Sequence, residues 1–178
     1  MSRIELRPMP QPDDGVSIGT YDGVPLVMTG RTYRAGDVAI SHEALGEDLV
    51  EAVDDAATLV LGHEWVTSLA RLMQINRRST SRDRIAKFGL PEYVLRFLAD
   101  AAAHVHPRAL GHALLCVEAI QEANTRSQYT TGRPANIDLI NRDLEIRETM
   151  RSAMSVVDEV LAEREAFRKR KGDGLTGE

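Results

Sequence analysis

The chain has 178 residues, of which 43% are hydrophobic, 28% are charged and only 4% are aromatic, and its formal net charge is −5. This balance excludes wholesale disorder, and the negative charge argues against general binding of polyanions. Because aromatic residues are so few, the core is predicted to consist of aliphatic side chains, which suit packed helices.

The first 41 residues predict an extended arm followed by a small β meander. Residues 1–15 contain three prolines and the turn signal Asp13-Asp14-Gly15, so they are not expected to form a helix or a central strand. From residue 16 to 41, short apolar runs alternate with glycine, and Asp22-Gly23 between two such runs predicts a hairpin. Pro25 has no amide proton for a ladder, so its strand is predicted to lie at an edge or to begin irregularly.

Beyond Ser41 the apolar residues recur at helical spacing. The first helix carries an apolar stripe to Met73, and Gly62 is expected to bend or divide it. The next helix is predicted to end at Gly89, because glycine is favoured just past a helix, and Pro91 is predicted to begin the following one. The predicted helices reach about residues 73, 88, 105 and 126, and a polar loop follows at 127–135.

The last predicted helix is the longest and spans residues 136–171, with Asn136 as its cap. Its apolar residues recur in alternating four- and three-residue steps, with a gap at Arg164. This stripe consists of Ile146, Met150, Ala153, Val157, Val160 and Phe167. A narrow stripe beside many charges is typical of packing within a helical bundle, or of a seam with another chain.

Together these elements predict a mainly α fold, a helical bundle of about five helices with a small N-terminal antiparallel β-hairpin or meander and a proline-rich arm. We expect residues 1–15 to form the arm and residues 16–171 to form a single domain. Within that domain, the meander occupies 16–41 and the helical body 42–171. Residues 172–178 are expected to form a flexible tail.

Three of the five histidines, His104, His106 and His112, lie close together in the sequence. A metal site usually needs carboxylates or thiolates at compatible spacing, and none accompany them. His63-Glu64 resembles the start of a metalloprotease helix, but Thr67 occupies the position of its second histidine. We therefore interpret these histidines as capping and surface residues and predict neither a metal nor a catalytic site. A metal-dependent enzyme using the three clustered histidines is an alternative.

The sequence contains no nucleophile elbow, phosphate-binding loop or dinucleotide fingerprint, and no cofactor is predicted. Cys116, the single cysteine, lies in an apolar run, where a buried and inert thiol is expected. A lone thiol and the lack of a secretory or membrane-spanning segment predict a soluble, cytoplasmic protein.

A basic segment follows an acidic one. No lysine or arginine lies between Arg34 and Arg71, and residues 82–98 then have the outline of an imperfect helix-turn-helix. Phosphate contacts in a nucleic-acid-binding regulator would come from Arg77, Arg78, Arg82, Arg84 and Lys87. The alternative is a solvated basic corner that pairs with the preceding acidic residues.

The function that these patterns favour is a non-catalytic assembly or adaptor protein that acts through protein contacts. Its partner is expected to be a second copy of the chain or another protein, with the stripe of the last helix as the interface. A nucleic-acid-binding regulator is the first alternative, and the metal-dependent enzyme or enzyme subunit is the second. No membrane partner is expected.

Overall fold

A computed structural model describes residues 3–131 and 139–173 of the chain. The strands are β1 (Ile4–Leu6), β2 (Val16–Tyr21), β3 (Val24–Thr29), β4 (Thr32–Ala35) and β5 (Val38–Ile40). The helices are α1 (His42–Leu61), α2 (Trp65–Leu72), α3 (Arg82–Phe88), α4 (Glu92–Ala102), α5 (Pro107–Thr131) and α6 (Leu139–Asp173). A 3-10 helix, Arg77–Thr80, lies between α2 and α3. The chain divides into two compact units, Met1–Glu118 and Ala119–Glu178.

The predicted mainly α bundle of about five helices is wrong, because the fold is mixed α+β. Within the described residues, five strands form one antiparallel sheet in the order β1-β2-β3-β4-β5, and six α-helices follow it. The predicted arm also contains structure, since β1 pairs with β2 and buries Ile4 and Leu6. Three residues are too few to reveal a two-residue period, and the prolines of this segment all follow β1.

The turn predicted at Asp22-Gly23 joins β2 to β3. Both residues have positive φ, 49° and 82°, as a two-residue type I′ turn requires. Pro25 is the second residue of β3, which is the central strand of the sheet, so an edge position is not what accommodates it. The register of β2 against β3 shifts between Ser17 and Gly19, close to the position opposite Pro25.

The core of the first unit lies between the sheet and the helices α1 and α4. Leu49 and Val53 of α1 and Leu95 and Leu98 of α4 are fully buried, as is Ile18 of β2. These residues recur at three- and four-residue steps along each helix, so each helix presents one apolar stripe to the sheet. The aliphatic composition of this core is what the low aromatic content predicted.

Two glycines allow helices to approach α1 closely. A Cβ atom at Gly111 of α5 would lie 1.8 Å from the carbonyl oxygen of Val60, and one at Gly46 would lie 2.5 Å from that of Ala86. Any side chain at these positions would overlap with backbone, so α5 and α3 could not keep their present distance from α1.

The observed helix ends refine the predicted ones. Gly62 has φ of 87° and divides the first predicted helix into α1 and α2, and Gly89, with φ of 71°, follows α3. Helix α4 ends three residues before Val105, whereas α5 continues to Thr131, into the predicted polar loop. The predicted cap Asn136 and residues 174–178 of the predicted tail lie outside the described residues, and one domain over 16–171 stays a prediction.

Candidate functional site

Helix α6 carries an apolar face that is exposed in the single chain. Its members recur at three- and four-residue steps and lie on one side of the helix. The α6 apolar face consists of Ile146, Met150, Ala153, Met154, Val157, Val160 and Leu161. Ile146 is half-buried, whereas Val157 and Val160 are 55% and 57% exposed, and Met154 is 66% exposed. Five of the six predicted interface residues therefore lie on this face.

The sixth predicted residue, Phe167, is within α6, but its side chain is outside what the structure describes. Met154 and Leu161 were missed in the sequence, because a strict alternation of four- and three-residue steps skips them. They make the apolar face wider than the seam of a coiled coil, which uses two apolar positions in every seven residues. Helical geometry could have identified them, because Met154 lies one turn after Met150 and Leu161 lies one turn after Val157.

Polar side chains on the rest of α6 bind one another along the helix. Arg151 forms an ion pair with Glu148 one turn earlier, and the Ser155 hydroxyl donates to a Glu159 carboxylate oxygen at 3.3 Å. Pairs at this spacing stabilise an exposed helix modestly. The internal pairs described on α6 therefore lie outside the apolar face.

The structure divides the predicted basic residues of the helix-turn-helix-like segment. Arg77 and Arg78 lie in the 3-10 helix, while Arg82 forms an ion pair of 2.8 Å with Asp54 of α1. The same Asp54 carboxylate oxygen accepts a hydrogen bond of 2.9 Å from Nε1 of the buried Trp65. The Arg82–Asp54 pair is the contact with the acidic segment that the alternative interpretation expects.

The remaining two basic residues, Arg84 and Lys87, lie together over one aromatic ring. The guanidinium carbon of Arg84 is 4.6 Å from the Phe88 ring centroid, and the Lys87 Nζ is 5.4 Å from it. Cations within about 6 Å of a ring are attracted by its negative face. The corner between α3 and α4 therefore presents two cations beside a half-exposed phenyl ring.

Of the clustered histidines, His104 and His106 lie at the turn from α4 to α5, and both are exposed. Nδ1 of His104 accepts a hydrogen bond of 3.0 Å from the backbone N–H of His106, which supports the turn before α5. His112 lies on the exposed side of α5, and Cys116 is half-buried rather than fully buried. Across residues 3–131 and 139–173, no three histidine, cysteine or acidic side chains converge as metal ligands.

One contact between the buried Tyr33 and the half-buried His42 had no signal in the sequence. The rings of Tyr33 and His42 stack with centroids 5.7 Å apart, and His42 Nε2 donates to the carbonyl oxygen of Ala86 at 2.9 Å. Burial raises the pKa of Tyr33 to about 12, because the phenolate is poorly solvated there. Nδ1 of His42 is buried with no hydrogen-bond partner among the described residues. This pair fixes the end of α3 against the sheet.

No family model, curated protein or solved structure matches this chain. A function is therefore inferred from its own residues. Among the helices that the structure describes, none is both long enough and apolar enough to cross a membrane. Of the predicted sites, the α6 apolar face is the one whose residues share a surface, whereas the basic residues divide and the histidines form no ligand set.

Proposed function

We propose that this chain is a non-catalytic assembly protein that associates with a second copy of itself through the α6 apolar face. The observation that supports the proposal is the exposure of Met154, Val157 and Val160 in one continuous strip of a 35-residue helix. Contiguous exposed apolar surface is unfavourable in water, and a partner helix with the same pattern would cover it. The proposal places the protein in the cytoplasm, where its lone cysteine would stay reduced.

A second copy of α6 is a suitable partner because the spacing is self-complementary. Two helices whose apolar residues alternate at steps of four and three can pack side chains of one between those of the other along their whole shared length. Met154 and Leu161 extend the apolar surface beyond the seam, so a pair of such helices would also bury the flanks. The α6 helix of each copy would therefore contact the same pattern of apolar residues on the α6 helix of the other copy.

The charges near the end of α6 favour an antiparallel pair. Four acidic residues lie between 158 and 165, and four basic residues occupy 168–171. In a parallel pair each group would lie beside the identical group of the other copy and repel it. In an antiparallel pair centred on the apolar face, residues 168–171 of the two copies would lie at opposite ends of the pair, so this repulsion would be absent.

Sedimentation velocity over a wide range of protein concentrations tests the proposal. We expect the parent chain to associate. In the double variant Val157→Glu plus Val160→Glu, the dissociation constant should rise by about tenfold or more, since two apolar side chains that the pair would bury become charged. The matched control, Ser152→Glu plus Ala162→Glu, adds the same charge on the opposite side of α6 and should associate like the parent.

Two results would contradict the proposal. One is a parent chain that stays monomeric at the highest concentration reached, and the other is an equal effect of both double variants. A cysteine at Ile146 in a Cys116→Ala background tests the orientation, because it would form a disulfide with its copy in a parallel pair. In the antiparallel pair the two residues would lie roughly 25 Å apart and are expected to stay reduced.

A further inference from the structure

A cavity of about 470 Å³ lies in the first unit, where the β3–β4 turn faces the α3–α4 corner. Its walls come from Met28, Gly30 and Arg31 on the sheet side, and from Arg84 and Phe88 on the helix side. The remaining lining is supplied by Ile75, Ser79, Gly89, Leu90 and Pro91. Cavities of about 300–1,000 Å³ are the usual size for small-molecule sites.

One part of this cavity is apolar. Met28 and Leu90 are almost completely buried and form its inner wall, and Ile75 is half-buried beside them. Phe88 is 46% exposed although it lines the same space, so its ring is open to a ligand. The apolar body of a small organic molecule would remove this surface from water.

The other part of the cavity is positively charged. Arg31 and Arg84 line it, and no acidic residue is among its described lining residues. Elsewhere in the first unit arginines bind carboxylates, as in the pairs of Arg34 with Asp14 and of Arg82 with Asp54. Within the part of the chain that the structure describes, Arg31 and Arg84 have no such carboxylate. Two guanidinium groups without a counter-ion favour an anion between them.

The helix side of the cavity is held in place from behind. His42 binds the carbonyl of Ala86 at the end of α3, and Gly89 lies so close to Tyr33 that a Cβ there would be 2.9 Å from the Tyr33 hydroxyl oxygen. Arg84 is in turn held over the Phe88 ring. A ligand would therefore meet a wall and a cation that are already positioned, which lowers the entropic cost of binding.

We propose that this cavity binds a small organic oxyanion, a phosphate or a carboxylate carried on an apolar body. The oxyanion would lie between the Arg31 and Arg84 guanidinium groups, with the Ser79 hydroxyl as a further donor, and the apolar body would contact Phe88 and Leu90. The planar guanidinium group of arginine can donate two hydrogen bonds to either a phosphate or a carboxylate. The experiment below therefore determines which head group binds. The site is independent of whether α6 pairs.

Titration of the ¹⁵N-labelled full-length protein with phenyl phosphate, followed by amide resonances, tests the site. We expect shifts at Gly30, Ser79 and Gly89, weaker binding of inorganic phosphate, and no saturable binding of phenol, which has the ring without the charge. Arg31→Gln plus Arg84→Gln should weaken phenyl phosphate binding by about tenfold or more, and added salt should weaken binding to the parent protein.

The matched control is Arg7→Gln plus Arg96→Gln, which removes the same charge from exposed positions outside the cavity lining and should bind like the parent. Benzoate in place of phenyl phosphate identifies the head group, and binding of either probe supports the site. Equal binding to both double variants, or the absence of shifts at the cavity residues, would overturn it. The proposal would also be overturned if the protein bound a DNA duplex but neither small anion, and if Arg77→Gln plus Arg78→Gln weakened the DNA binding, since those two arginines lie outside the cavity lining.

Discussion

Tyr33 shows how one buried polar side chain ties stability to pH. It is 2% exposed, and its pKa is raised from 10.0 to about 12 by burial. The folded state therefore favours the neutral phenol, and this contribution is complete below pH 10 and is lost as the pH rises towards 12. Between these values the folded protein must either keep a proton that the unfolded chain releases, or bury a phenolate.

We expect the free energy of unfolding of the parent chain to fall by about 1 kcal/mol more than that of Tyr33→Phe between neutral pH and about pH 11. Urea unfolding followed by Trp65 fluorescence at several pH values measures this difference. Groups other than Tyr33 titrate in both proteins, so their contribution cancels when the pH dependence of the variant is compared with that of the parent. Parallel pH dependences for the two proteins would show that Tyr33 ionises as easily when folded as when unfolded.

At the scale of elements, the distance between helices depends on which residues lack a side chain. Alanine normally stabilises an exposed helix by about 1 kcal/mol relative to glycine. At Gly111 of α5 the sign should reverse, because the new Cβ would overlap with the Val60 carbonyl oxygen of α1. We expect Gly111→Ala to lower the free energy of unfolding by about 2 kcal/mol or more, measured by urea denaturation.

The control for that measurement is His112→Ala, at the exposed neighbouring position of the same helix. It should change stability little, since an exposed histidine has no core contacts to lose. A stabilising Gly111→Ala would mean that α5 can move away from α1 at no cost.

The elements also show how much the sequence can predict. Spacing identified the stripes of α1 and α6, and glycine signals located the division at Gly62 and the end of α3 at Gly89, because these are local effects. The five-strand sheet was underestimated, since β1 and β5 have three residues each, which is too short to show the two-residue period of a strand. The cavity was missed for another reason, because Arg31 and Arg84 are far apart in the sequence and line one cavity only through the fold.

For the whole molecule, the distribution of buried residues separates the core from α6. The last buried residue of the hydrophobic core is Ala101, and the partly buried Leu110 and Leu115 pack against that core. All of them lie in the unit Met1–Glu118, whereas the described side chains of α6 other than Ile146 are exposed. The stability of the core should therefore depend on the first unit, and self-association on α6.

We expect a fragment ending at Glu118 to unfold cooperatively and to sediment as a monomer at concentrations where the full chain associates. Near-ultraviolet circular dichroism reports on its packing, because the single tryptophan, Trp65, is buried and bonded to Asp54. A fragment without a cooperative transition would show that the core needs residues beyond 118. A fragment that still associates would assign the interface to the first unit instead.

The arrangement of the sheet has a consequence for how this protein folds. Each strand pairs with the strand that follows it in the chain, so every ladder joins residues that are close in sequence. Such ladders close short loops at small entropic cost, and proteins rich in them fold quickly. The sheet could form hairpin by hairpin as the chain leaves the ribosome, before the helices that cover it have been synthesised.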